Sequence, residues 1–166
     1  MRFAPTLAAI ALLSGCASVP PASASRHPEA ASYDASADAM AEVDAALDRA
    51  EGNGKRVIVA LGANWCHDSR AFAGWLDTPR FQALANRAFE IVFVDVGNPQ
   101  AGEGRNLGVV RRFGIDPVEG TPTVFVVDAE GTLLNPETAR GWRNAASRSE
   151  DAIYAELERY APPPGA

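Results

Sequence analysis

One stretch of six residues, Asn64-Trp65-Cys66-His67-Asp68-Ser69, gathers a thiol, an imidazole, a carboxylate and a hydroxyl. The chemistry on offer is that of sulfur, because a thiolate is the nucleophile of disulfide exchange. An unperturbed thiol, with a pKa of ~8.5, is only about 3% ionised at pH 7, so a working cysteine needs help from its surroundings. The apolar run 56–61 precedes the stretch and Gly62-Ala63-Asn64 breaks it, so a helix should open near Trp65-Cys66. A cysteine at the first turn of a helix meets unsatisfied backbone N–H groups and the positive dipole end, and both favour a thiolate. His67 would add to that effect when protonated and Asp68 would oppose it. Ser69, one helical turn on, could donate its hydroxyl to the sulfur, and Trp65 would shield one side of it. A buried cysteine is an inert small hydrophobe; the polar triplet after Cys66 argues for an accessible one.

Hydrophobic periodicity places the elements around this stretch. Met40, Val43, Leu47 and Ala50 follow helical spacing, with Ser36 as cap and Gly52-Asn53-Gly54 as stop. The run 56–61 is continuously apolar, as for a strand covered on both faces. Phe72, Trp75 and Leu76 mark the helix after Cys66, and Thr78-Pro79 restarts it, with Phe81, Leu84, Ala85 and Ala88 as a second stripe. Pro suits a first helical turn because its missing N–H has no partner there anyway. A second buried strand spans 90–96, a Gly-rich loop 97–106 and a short helix 107–113, stopped by Gly114. The third strand covers 123–127, and Asp128-Ala129-Glu130-Gly131 turns it back into an antiparallel partner at 132–134. Ser147-x-x-Glu150 reads as a capping box before Ile153, Leu157 and Tyr160. The order is α-β-α-β-α-β-β-α, an α/β fold with a central mixed sheet and flanking helices. Strands linked through a helix should be parallel and the final hairpin antiparallel.

Asn64 to Ser69 after a buried strand, and Gly120-Thr121-Pro122-Thr123 before another, together resemble the thioredoxin family. The resemblance runs from Arg56 to Tyr160. It implies a thioredoxin-like fold, a cis Thr121–Pro122 bond beside the Cys66 sulfur, and a Thr121 backbone that pairs with an extended substrate segment. Two departures stand out. Ser69 occupies the place of the family's second cysteine, which resolves the mixed disulfide, and Ala60 falls where the family carries a buried acid. Both parts of the resolving machinery are missing together. The options left are glutathione-assisted monothiol exchange, disulfide isomerisation, or capture of a partner without turnover. A non-catalytic binding module that reuses the same groove is the alternative from a different class.

The N-terminus reads as an address. Arg2 heads a short apolar stretch that ends in Leu13-Ser14-Gly15-Cys16, which has the form of a cleaved export signal. The last four residues resemble the lipobox of bacterial lipoproteins. That resemblance implies removal of residues 1–15 and lipidation of Cys16, leaving Cys66 as the only thiol. It also implies, since Ala17 rather than Asp follows, an outer-membrane lipoprotein facing the periplasm. Without Arg2, 14 basic groups face 21 acidic ones, a net charge of −7. Residues 16–35, rich in Ala, Ser and Pro, read as the lipidated end and a flexible tether. The expected domain is then 36–161, followed by a Pro-rich tail at 162–166.

Composition narrows the partners. With 15 Lys and Arg against 21 Asp and Glu, the chain lacks the concentrated positive charge of a phosphate-tracking protein, so no nucleic acid is expected. No apolar run reaches the ~20 residues of a spanning helix, so contact with the membrane is expected through the lipid anchor alone. Cysteine-containing envelope proteins or glutathione-type thiols are the expected partners. Gly102-x-Gly104-x-x-x-Gly108 misses the dinucleotide fingerprint by one residue. No cofactor is expected. No metal is expected either, since only two histidines exist and His27 falls in the tether. Asp95 reads as an edge or loop acid, Trp75 as core, and Trp142 as packed near the last helix.

Overall fold

The computed structural model describes residues 27–163. The export signal, Cys16 and the end of the Pro-rich tail lie outside them. Helix α1 (Ala39–Asn53) leads into strand β1 (Arg56–Gly62), and helices α2 (His67–Leu76) and α3 (Pro79–Ala88) connect it to β2 (Phe89–Asp95). A small hairpin of β3 (Gly97–Asn98) and β4 (Glu103–Gly104) follows, then α4 (Leu107–Arg112), β5 (Thr123–Val127) and α5 (Glu150–Glu158).

Strand β1 is central, with sheet order β2-β1-β5. It pairs in parallel with β2 from Arg56↔Phe89 to Gly62↔Asp95, and antiparallel with β5 from Val57↔Val127 to Leu61↔Thr123. Its side chains alternate between two cores, as the two-residue period of a strand demands. Val57, Val59 and Leu61 join α1 and α4 on one face; Ile58 and Ala60 join α2, α3 and α5 on the other. This double cover explains the unbroken apolar run.

Several expectations need correction. β5 runs antiparallel to its neighbour although a helix precedes it, because the sheet places it across β1 rather than beside β2. The strand expected at 132–134 shrinks to a single bridge, Val127↔Leu133. The buried Asn135 takes over that edge: its amide accepts from Val126 N at 2.8 Å and donates to Val124 O at 2.9 Å. A side chain thus satisfies backbone groups that a longer strand would have paired. Asp38, not Ser36, caps α1 by accepting from Ala41 N, and Ser149, not Ser147, caps α5 by accepting from Ala152 N.

The largest correction is at the N-terminal boundary. Residues 27–35 are not a tether but a strap laid across the domain. Ala30 N donates to Arg70 O at 3.0 Å, and the Asn64 side chain bonds both Tyr33 N and Tyr33 O, at 3.1 and 2.8 Å. Tyr33 is 2% exposed, and its ring meets Phe93 edge-on at 5.4 Å. Two glycines make the room. A Cβ on Gly62 would lie 2.6 Å from the Tyr33 ring, and one on Gly74 would lie 2.4 Å from the Pro28 backbone. The packed body therefore takes in residues 27–35, ahead of the expected boundary at 36.

Candidate active site

β1 delivers the chain to the site at Gly62, and a turn closed by Cys66 N donating to Ala63 O at 3.0 Å reverses it into α2. Cys66 is the N-cap of that helix, with extended backbone (φ −82°, ψ 121°), and Arg70 N donates to its carbonyl at 3.0 Å. The thiol is half-exposed and is the one free cysteine among the described residues. Its Sγ donates to Thr121 O at 3.3 Å. The Thr121–Pro122 peptide bond is cis, and Thr123 Oγ1 donates back to Gly120 O at 2.9 Å, closing the loop beside the sulfur. Two motifs 55 residues apart in sequence thus meet at one atom.

Trp65 stands beside the thiol, 58% exposed, with its Nε1 donating to Gly97 O at 3.1 Å. That bond ties the indole to the β3–β4 hairpin. Trp65 and the hairpin border a depression of about 190 Å³ with Asp95 and Arg105 in its wall. Asp95 ends the edge strand β2 and is buried there; its carboxylate accepts from Gly97 N at 2.8 Å and faces Arg105 at 3.2 Å. It sits opposite Gly62 in the β1–β2 register, so it closes the same end of the sheet as the thiol.

The helix residues that follow Cys66 turn to other tasks. The Ser69 hydroxyl is fully buried and, among the described residues, has no hydrogen-bond partner, so the expected bond to the sulfur is not formed. Asp68 accepts from Ala146 N at 2.9 Å and pins α2 to the turn at 145–147. His67 points to the strap: its Nε2 lies 3.2 Å from Glu29 Oε1, and its ring meets that of His27 at 4.7 Å. Arg70 holds the other Glu29 oxygen at 2.9 Å, and this hydrogen bond keeps the Glu29 carboxyl below its usual range. His27 therefore belongs to the folded body, against the expectation that set it aside in a tether.

Beneath the site lies Tyr33, which sequence reasoning missed. Its hydroxyl donates to Ser69 O at 3.4 Å. Burial, with the nearby Cys66 and Asp95, pushes the phenol far above its ordinary range. The available signal was a lone aromatic residue among Ala, Ser and Asp, shortly before a helix. Trp75 is half-buried at the core, and Trp142 is buried against Phe72 at 5.0 Å with the Arg148 guanidinium over its ring at 4.4 Å.

A thiol at a helix N-cap, a Thr-Pro loop against its sulfur and a mixed sheet between two helical layers define a thioredoxin-type site. The chain belongs to the thioredoxin-like family, whose model matches residues 38–129. Among solved structures it is similar to a disulphide isomerase from Xylella fastidiosa Temecula1, at 33% identity and a TM-score of 0.69, covering 76% of this chain and 94% of that one. The oxidised C-terminal domain of DsbD from Neisseria meningitidis matches more loosely, at 23% identity and a TM-score of 0.47 over 78% and 98% of the two chains. No curated protein sequence matches.

Proposed function

We propose that this protein is a monothiol disulfide-exchange protein of isomerase type. In this reading a lipid on Cys16 holds it to the outer membrane, facing the periplasm, where it acts on cysteine-containing envelope proteins or glutathione-type thiols. One observation carries the chemistry: the sulfur of the half-exposed Cys66 lies 3.3 Å from Thr121 O, on the loop whose backbone, by the family resemblance, would pair with an extended substrate chain. The likeness to a disulphide isomerase at 33% identity supports the same reading.

In the exchange, the Cys66 thiolate attacks one sulfur of a substrate disulfide. A bond forms between Cys66 and that sulfur, the substrate S–S bond breaks, and the departing sulfur leaves as a thiolate that takes up a proton. A different substrate thiolate then attacks the substrate sulfur of the mixed disulfide, forming a new substrate bond and expelling Cys66. No electrons are gained or lost overall, and one attacking thiol on the protein suffices. Ser69 cannot perform the release, and Ala60, packed in the apolar core with Phe72, carries no proton acceptor of its own. Both features suit a cycle in which the substrate supplies the second sulfur.

The lipobox residues support the anchor, since burying acyl chains at ~0.8 kcal/mol per methylene makes attachment lasting. With the strap packed on the domain, the chain from Cys16 to residue 27 reaches at most roughly 40 Å fully extended. Substrates would then be met close to the membrane.

A non-catalytic binding module is favoured by one observation: among the described residues no hydrogen bond is donated to the Cys66 sulfur. Re-pairing of a scrambled multi-disulfide protein in the presence of a small thiol separates the two. The exchange reading expects acceleration by the wild type and none by Cys66→Ala. Equal rates for the two proteins would leave only binding.

A further inference from the structure

Beyond the thiol, the structure brings together the chain's two histidines, 40 residues apart in sequence, on either side of one carboxylate. We infer that His27, Glu29 and His67 form a binding site for a divalent transition-metal cation, zinc in the first instance. The candidate ligand atoms of the three side chains all lie within 4.8 Å of one another. His67 Nε2 and Glu29 Oε1 are already 3.2 Å apart. With metal–ligand bonds of ~2.0–2.1 Å, the edge of a tetrahedral zinc site is ~3.3 Å. That pair therefore needs no more than small rotations, and His27 needs to close by up to about 1.5 Å to reach that edge.

The surroundings already resemble the outer shell of a metal site. His27 Nδ1 lies 3.3 Å from the carbonyl oxygen of Pro28, which can only accept, so the tautomer protonated at Nδ1 donates there and keeps its Nε2 lone pair for a cation. Ligating histidines usually make such a bond through their other nitrogen. Arg70 grips Glu29 Oε2 at 2.9 Å, which orients the carboxylate and leaves Oε1 turned to the imidazoles. Two imidazoles and one carboxylate are the donors of open three-ligand zinc sites, with water completing the tetrahedron, and they also suit copper(II) and nickel(II). An ion pair would account for His67 and Glu29 alone; the second imidazole, with its ligand atom within 4.8 Å of both, is what a cation adds a reason for.

Such a site would join the strap to the first turn of α2, so zinc should stabilise the folded chain by mass action. The test is calorimetric titration of ZnCl2 into the mature protein, free of any affinity tag, alongside thermal unfolding with and without zinc. One zinc per chain is expected, with affinity falling at least tenfold in His27→Ala and in Glu29→Gln, and unchanged in Cys66→Ala. Zinc should raise the melting temperature of the wild type and not of His27→Ala; circular dichroism of each variant checks that it is folded. Absence of binding at 100-fold excess zinc would overturn the proposal. So would binding that survives loss of His27, or binding that disappears with Cys66.

Discussion

Replacing Tyr33 by Ala tests whether the strap belongs to the domain. The ring is 2% exposed, packs edge-on against Phe93 at 5.4 Å and fills the space left open over Gly62. Truncating a buried aromatic side chain removes its transfer free energy and leaves a cavity, a loss of about 3–5 kcal/mol. For a domain of this size that corresponds to roughly 10–20 °C in melting temperature. Tyr33→Phe separates ring from hydroxyl. The bond from the hydroxyl to Ser69 O is long, 3.4 Å, so its loss should cost no more than about 1 kcal/mol. Urea unfolding of wild type, Tyr33→Ala and Tyr33→Phe reads both values directly. A residue in a solvated tether would change stability by less than ~0.5 kcal/mol. A Tyr33→Ala result in that range would refute the packing described here, and with it the placing of His27 and Glu29 beside α2.

Two further outcomes follow from the same region. Burial holds the Tyr33 phenol protonated in the folded protein at pH values where the unfolded chain, with an ordinary tyrosine near ~10, has released its proton. The unfolded state then binds fewer protons, so stability falls as pH rises above about 10, by about 1.4 kcal/mol per pH unit for this one group. Unfolding free energy measured across that window should decline more steeply for the wild type than for Tyr33→Phe, and parallel slopes would contradict the burial. Ser69→Ala should leave the unfolding free energy in urea unchanged or raise it by up to about 1 kcal/mol, because it removes a buried hydroxyl that has no partner among the described residues. A loss above about 1 kcal/mol would mean that the hydroxyl makes a bond worth more than its burial costs.

What could be read from the sequence was local or periodic. The run from Arg56, the break at Gly62, and helix α2 opening one residue after Cys66 all follow from residue order and from the 3.6- and 2-residue periods. The Thr121-Pro122 loop came from resemblance, and the structure sets it against the sulfur. The misses share a different cause. Asn135 replaces a strand through side-chain hydrogen bonds 9 and 11 residues away, which no alternation of apolar and polar residues can announce. Composition argues for a tether at 16–35, since a stretch of Ala, Ser and Pro cannot bury enough apolar surface to order itself. That reasoning holds for a segment standing alone, and it fails where the folded domain supplies the receiving surface. Gly62 and Gly74 lack the side chains that would fill the places of the Tyr33 ring and the Pro28 backbone, and Asn64 meets both backbone polar groups of Tyr33. The strap's order is therefore written in Gly62, Asn64 and Gly74, well downstream of it. The same displacement explains why a histidine that looked stray in the sequence stands next to the other one, one residue beyond the thiol.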